Sequence, residues 1–438
     1  MKIAWFTPFS AKSAIGRYSG EVVAELAKFV SVDLWHPEAS DERPVLNVRR
    51  MRFRQASEID STVMSKYDLI VYNLGNHFPF HGEIFRVAQK TPGLIVLHDI
   101  VMHHFFAAYY LERLKSPRLY TEAMERAYGE RGRLVAETAL TGKSPRLWET
   151  DEVAVFPLVE EAVRGALAVV THSDFQREIV ERQFAGPVRK IPLPYQPLTS
   201  TGLRSRSELG LSKDQLLLVT IGHVNTNKRI ESVIRALAGI PEPTQKFVYV
   251  VLGPSDSAYH RQLMETIRSN HLESRVRLLG YVDDDTLHSY IHHADICLNL
   301  RFPVFEGASA SLIEEMWYGK SIIVTDAGFC SELPSDAVRK ITPQREGEEL
   351  SRALLDLLSN SETRAHLGRR AHEVASSEFH AKHYVQELLK FFWIVRSCKP
   401  ALELADRIAR ELDGFGVSRD MEIATSIADE AYKLLFGD

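Results

Sequence analysis

The feature that most constrains this chain is an order of events that keeps repeating: a short apolar run, a turn, then a helix-forming segment. KIAWFTPF, SVDLWHP, YDLIVYNLG, GLIVLHDI, ALAVVTHSD and PVRKIPLPY form a first series, and LLLVTIG, FVYVVLGP, VRLLGYV, ADICLNLR, SIIVTD and VRKITP form a second. Continuous apolar runs are what strands buried on both faces require, and strands that alternate with helices build parallel sheets. Two series call for two cores, and 438 residues are enough for both. The expected fold class is α/β with two parallel-sheet domains, 1–197 and 198–380, followed by C-terminal helices over 381–438. Pro192 and Pro194, with the polar QPLTSTGLRS after them, read as the hinge between the halves.

Within the second series, RFPVFEGASASLIEEMWYGKSIIVTDAG (301–328) carries the chemistry. Glu306 and Glu314 bracket the small residues Gly307, Ala308, Ser309, Ala310 and Ser311, which lead into a helix beginning near Ser309. Small side chains leave the free N–H groups of a helix start open to a ligand, and such a start binds anions. Leu312, Ile313, Met316 and Trp317 supply the apolar face, and Gly319 with Lys320 ends the helix before a buried strand. Eight residues of helix rise about 12 Å, the reach of a nucleoside diphosphate sugar rather than of a single hexose.

This stretch resembles the signature of the retaining, family 4 (group 1) glycosyltransferases of GT-B fold: E-G, then L-x-E-A-M-A-x-G and a strand. The match is carried by Glu306, Gly307, Leu312, Glu314, Met316 and Gly319, while Glu315 stands for the family alanine and Trp317 for a small residue. The resemblance implies two Rossmann-like domains around a cleft, with a C-terminal helix such as YVQELLKFFWIV returning to the first. It implies that Glu306 meets the donor sugar, Glu314 the ribose, and the 307–312 helix start the pyrophosphate. In the turn after LLLVTIG the family has G-R with a lysine five residues on; here stand Gly222, His223 and Lys228, and Lys228 is implied to neutralise the diphosphate. His98, followed by Asp99 at the end of GLIVLHDI, is implied to lie near the anomeric carbon. Gly16 is implied to approach the donor from the first turn, and Tyr281 and Val282, after Gly280, to meet the nucleobase through the backbone. The implied reaction moves a sugar from a nucleoside diphosphate to a hydroxyl with retention, the leaving phosphate taking the proton. It needs neither a metal nor another cofactor.

Other features narrow the classes. A formal charge of −5 gives no general basic surface and disfavours nucleic acid as a partner. Cys297, Cys330 and Cys398 lack metal spacing and read as buried thiols of a reducing compartment. No apolar run reaches the roughly 20 residues of a membrane span, and MKIAWFTPF lacks signal-peptide character. A cytoplasmic protein is expected, with peripheral membrane contact left open. Asp283, Asp284 and Asp285 read as a helix start rather than a metal site, and His103 and His104 lack a carboxylate at zincin spacing. The helical segment 102–150 mixes aromatics with basic residues. That pattern fits acceptor choice, a membrane-surface contact or a plain core stripe. The tail beyond residue 399 reads as two helices joined through Gly414 and Gly416, a packing cap or an oligomer contact. The expected partners are a nucleotide sugar and a carbohydrate, lipid-linked or protein acceptor. An epimerase, a phosphorylase and a non-catalytic nucleotide-sugar-binding protein are the competing classes.

Overall fold

The computed structural model describes residues 1–9, 13–36, 52–55, 59–142, 145–195, 202–241, 246–417, 421–424, 426–427 and 430. The first sheet contains β1 (Lys2–Phe6), β2 (Ser31–His36), β3 (Arg52–Gln55), β4 (Leu69–Leu74), β5 (Leu94–Leu97), β6 (Ala168–Thr171) and β7 (Val188–Lys190). They are parallel neighbours in the order β3-β2-β1-β4-β5-β6-β7. β3 is a strand that the apolar pattern does not announce. RFRQ alternates charge with one aromatic, as an edge strand does, and among the described residues pairs only with β2.

The second sheet contains β8 (Leu216–Ile221), β9 (Phe247–Leu252), β10 (Val276–Gly280), β11 (Ile296–Asn299), β12 (Ser321–Thr325) and β13 (Arg339–Ile341), in the order β10-β9-β8-β11-β12-β13. This is the two-sheet α/β architecture expected of a GT-B fold. Strand order reverses between β1 and β4 in one sheet and between β8 and β11 in the other. Open parallel sheets bind ligands beyond the carboxyl ends of their strands at such switch points, and the two points face one another.

One apolar cluster runs from Trp5 and Val71 of the first sheet through Ile191, Leu193 and Tyr195 to Val219 and Val324 of the second. It continues into the C-terminal helix through Tyr384, Leu388 and Phe392. That helix, Ala381–Gly414, packs on helix Ala14–Leu26 of the first half, and the Tyr18 hydroxyl donates to that of Tyr384 over 2.6 Å. The return expected for YVQELLKFFWIV is therefore present. The helix continues through Pro400 to Gly414, so the first of the two separate tail helices expected after residue 399 is part of the returning helix. Of the hinge assigned to Pro192, Pro194 and QPLTSTGLRS, residues 196–201 lie outside the described residues.

The 102–150 segment is helical, with helix Pro117–Leu140 bending at Gly129 (φ 63°). Its aromatics Phe105, Phe106, Tyr110 and Tyr120 are buried with Tyr72 and Phe85 in the core of the first half. Of the three readings of this stretch, the aromatic stripe is core. Cys297 and Cys330 are buried, whereas Cys398 is only half-buried. Among the described residues, no helix is long and apolar enough to cross a membrane.

Candidate active site

The residues singled out at the Glu306 end of the signature meet the first half directly. The Gly307 N–H donates to the His98 carbonyl (2.8 Å), and the Phe305 carbonyl accepts from Ile100 (2.7 Å) and Val101 (3.1 Å). Asp99 and Glu306 thus form an antiparallel bridge across the cleft. Glycine is required at 307 because a Cβ there would lie 2.1 Å from Oε1 of Gln176. Gln176 is itself buried, accepting from the His172 N–H and donating to the Leu97 carbonyl. A second link sits behind the cleft, where Glu332 accepts from the Phe175 N–H (2.8 Å) and pairs with Lys190 (3.1 Å).

Between the halves lies a cavity of about 260 Å³. Helix Ala14–Leu26 contributes Ser13, Ala14, Ile15 and Tyr18; the β4 turn and the helix after it contribute Asn76, His77, Phe80 and His81. His98, Asp99, His172, Leu193 and Tyr195 come from the remaining first-half ends, and Glu306, Ala308 and Ala310 from the signature.

The helix start is formed as expected. Ser309 caps helix Ala310–Trp317, its Oγ accepting from the Leu312 N–H (3.3 Å), and Ala310 and Ser311 stand at the exposed end of the dipole. Arg301, buried at the end of β11, organises this end. Its guanidinium pairs with Glu306 through Nε and donates through Nη2 to Ser309 Oγ (3.2 Å) and Ser311 Oγ (3.0 Å). Glu306, the first acid of the signature, is therefore held by an arginine five residues before it.

Lys228 is buried behind this cluster. Its Nζ donates to the Ile221 carbonyl (2.5 Å) and crosses Gly222, where a Cβ would lie 2.7 Å from it and φ is 96°. Burial, then the nearby Arg301, holds its pKa well below the ordinary lysine value, while Glu306 and Glu315 oppose them. Glu315, in place of the family alanine, is fully buried and accepts from Asn299 Nδ2 (2.9 Å). Burial pushes its carboxyl up to about 8.

Glu314 does not line the cavity. It is buried one turn beyond Ala310, where Oε2 accepts from the hydroxyl of the cavity residue Tyr195 (3.1 Å), Oε1 lies 3.2 Å from His288 Nε2, and Arg17 is 4.0 Å away. Arg17 stacks over Tyr195 at 4.4 Å. Tyr195 and His288 reach Glu314 from other parts of the chain, so the sequence does not show them beside it.

His98 is in the cleft wall, but both ring nitrogens face protein: Nδ1 is 3.2 Å from His172 Nε2, and Nε2 is 3.2 Å from Asn73 Oδ1. Tyr18 packs edge-on against its ring at 4.8 Å. Burial, then His172 and His81, holds His98 well below the usual histidine pKa, and burial brings His172 to about 4. Asp99 is the group the sequence underrated. Its Oδ2 accepts from the Asn76 N–H (2.7 Å), and burial, opposed by that bond and reinforced by Glu306, pushes its carboxyl up to about 7.

The remaining expectations divide. His223 stands close enough to His77 across the cleft to help depress its pKa, after burial. Gly16 is not a turn residue: Ser13 caps the helix, so Gly16 lies in its first turn with its N–H donating to Ser13 Oγ (3.2 Å). Tyr281 points into solvent at 75% exposure and, like Val282, does not line the cavity. Asp283 caps helix Asp284–His293 by accepting from the Thr286 N–H (2.8 Å), the helix start that its sequence suggested. His103 is a core residue between the Phe156 carbonyl (2.6 Å) and the Tyr120 hydroxyl (2.8 Å).

Two parallel sheets whose switch points share one cleft, with a helix start and an acidic residue at its floor, define a GT-B architecture. Residues 203–374 match the family described as glycosyl transferases group 1. Over 212 residues the chain is 24% identical to an uncharacterized glycosyltransferase of Methanocaldococcus jannaschii, an alignment covering 46% of this chain and 53% of that protein. The chain therefore spans about half the length of the curated relative it matches. It is similar in structure to sucrose-phosphate synthase of Thermosynechococcus elongatus, with a TM-score of 0.61, 17% identity, and coverage of 91% of this chain and 100% of that one. It is also similar to Anabaena HepE in complex with UDP and glucose, with a TM-score of 0.63, 16% identity, and coverage of 89% and 99%. At these identities the solved structures establish the fold, and with the family match they support a GT-B glycosyltransferase.

Proposed function

We propose that this cleft transfers a sugar from a nucleoside diphosphate sugar to a hydroxyl acceptor with retention of configuration and without a metal. The observation that carries the reading is the Arg301 cluster: a helix start, two serine hydroxyls and Glu306 gathered around one guanidinium, with Lys228 behind it. The donor diphosphate sits over Ala310 and Ser311, where the helix dipole, Arg301 and Lys228 supply positive potential as charge grows on the leaving phosphate. A bound diphosphate raises the pKa of Lys228 and draws its ammonium from the Ile221 carbonyl. Glu306 orients the sugar hydroxyls from beside Arg301. His98 presents its ring edge, since Asn73 and His172 engage its nitrogens. The leaving phosphate takes the acceptor proton, so no separate base is required. Anabaena HepE was solved with UDP-glucose, which supports UDP sugars as the first donors to try.

The test is incubation with UDP-, GDP-, ADP- and dTDP-sugars and a hydroxyl acceptor, with and without EDTA, following the anomeric proton by NMR. A retained linkage formed equally with EDTA supports the proposal. An inverted linkage, donor epimerised without acceptor, transfer to inorganic phosphate, or binding without turnover overturns it.

A further inference from the structure

The first-half wall of the cavity carries a set of groups that the donor does not explain. Asn76, His77 and Phe80 follow β4, and Asp99 follows β5, all on the side of the cleft opposite the Ala310 helix start. The rings of His77 and Phe80 lie 4.5 Å apart and form a small aromatic shelf. One oxygen of Asp99 accepts from the Asn76 N–H, and the carboxyl faces Glu306 across the gap.

The charge of this wall sets what it can hold. The charged side chains in the described lining are the carboxyls Asp99 and Glu306. His81 is buried and neutral, held near 4, and His77 is also depressed. The cations nearby face elsewhere: Arg301 binds Glu306 and two serines, and Arg17 stacks on Tyr195 beside Glu314. An anionic group brought against Asp99, about half ionised at neutral pH, finds no counter-ion in the described wall, since Arg301 is already paired with Glu306. A neutral polyol meets the reverse: a carboxyl that accepts from hydroxyls and an aromatic face for its C–H groups.

Resting on the glycosyl-transfer reading of the same cleft, we infer that the acceptor subsite takes an uncharged saccharide, held by Asp99 and stacked on Phe80, and rejects sugar phosphates. Asp99 binds the acceptor hydroxyl nearest the donor, and Phe80 takes the ring face.

The experiment uses the full chain and two readouts. Saturation-transfer NMR with methyl glycosides of glucose, galactose and mannose, against the corresponding hexose 6-phosphates, measures binding without any donor. Nucleoside diphosphate release from UDP-glucose, with the same compounds as acceptors, measures transfer. At least one neutral glycoside is expected to bind at least about tenfold more tightly than its phosphate, and Asp99→Asn and Phe80→Ala each to weaken it at least about fivefold. Melting temperatures within about 2 °C of the parent show that the variants are folded; where Phe80→Ala fails this check, Phe80→Leu replaces it. Tighter binding of the phosphates, no saccharide binding, or unchanged affinity in folded Asp99→Asn overturns the inference. Transfer only onto phosphorylated acceptors overturns it while leaving glycosyl transfer intact. Saccharide binding without turnover of any donor overturns glycosyl transfer and leaves the neutral subsite standing.

Discussion

Replacing Glu315 with Gln should stabilise this protein, and by an amount that grows with pH. Glu315 is fully buried, and its carboxyl is raised from 4.5 to about 8. For an acid whose folded pKa is raised, unfolding releases a proton at every pH between the two values. Stability is therefore greatest below about 4.5 and falls as pH rises, until the folded carboxyl ionises near 8. At roughly 1.4 kcal/mol per unit, the bound on this loss is about 3 kcal/mol at pH 7 and about 5 above pH 8. Relaxation of Lys228 and Arg301 around the acid reduces it, and about 2 kcal/mol at pH 7 is the working figure. Glutamine keeps the carbonyl that accepts from Asn299 and has no proton to lose. In a domain of this size about 2 kcal/mol corresponds to about 4–8 °C in Tm. Differential scanning fluorimetry of both proteins from pH 4.5 to 8.5 isolates the effect, because every other group titrates in both. The gap, variant above parent, should open from near zero at pH 4.5. A gap independent of pH, or a parent that gains on the variant as pH rises, refutes the reasoning.

Three further outcomes follow from the geometry. Lys228→Ala should lower kcat at least about 100-fold while changing donor affinity less than about tenfold, because its charge acts on the leaving phosphate; steady-state kinetics with isothermal titration of UDP checks the split. Gly307→Ala places a Cβ 2.1 Å from Gln176, so the strap between Glu306 and His98 must shift; kcat should fall at least about tenfold, and parental kinetics would refute the strap's role. Tyr384→Phe strips the partner of the buried Tyr18 hydroxyl and should cost about 1–2 kcal/mol in urea unfolding, with no loss expected if the returning helix were merely apposed.

Much of the architecture was legible because buried parallel strands are written as apolar runs; twelve strands are visible in the sequence, although β7 and β13, at the sheet edges, carry Arg-Lys pairs. β3 was not, since an edge strand paired on one side has no need of that pattern. The Glu306 loop, the Ser309 cap and the Asp283 cap could be read because each is set by neighbours a few residues away. The surroundings of Glu314 could not, because Tyr195, which donates to it, lies 119 residues distant. Arg301 stood in plain view beside Glu306, yet its second role, tying Ser309 and Ser311, needs the loop to fold back over it. The bridge from Asp99 to Glu306 joins the two halves and leaves no local periodicity to find. The tail beyond residue 399 read as separate helices, but the returning helix runs through Pro400 to Gly414.

The most direct measurement is a crystal structure of the protein with UDP bound. A β-phosphate is expected over the N–H groups of Ala310 and Ser311, with Lys228 Nζ moved from the Ile221 carbonyl to a phosphate oxygen. UDP bound away from this helix start, or a Lys228 that keeps its carbonyl while the phosphates rest on other groups, would contradict it.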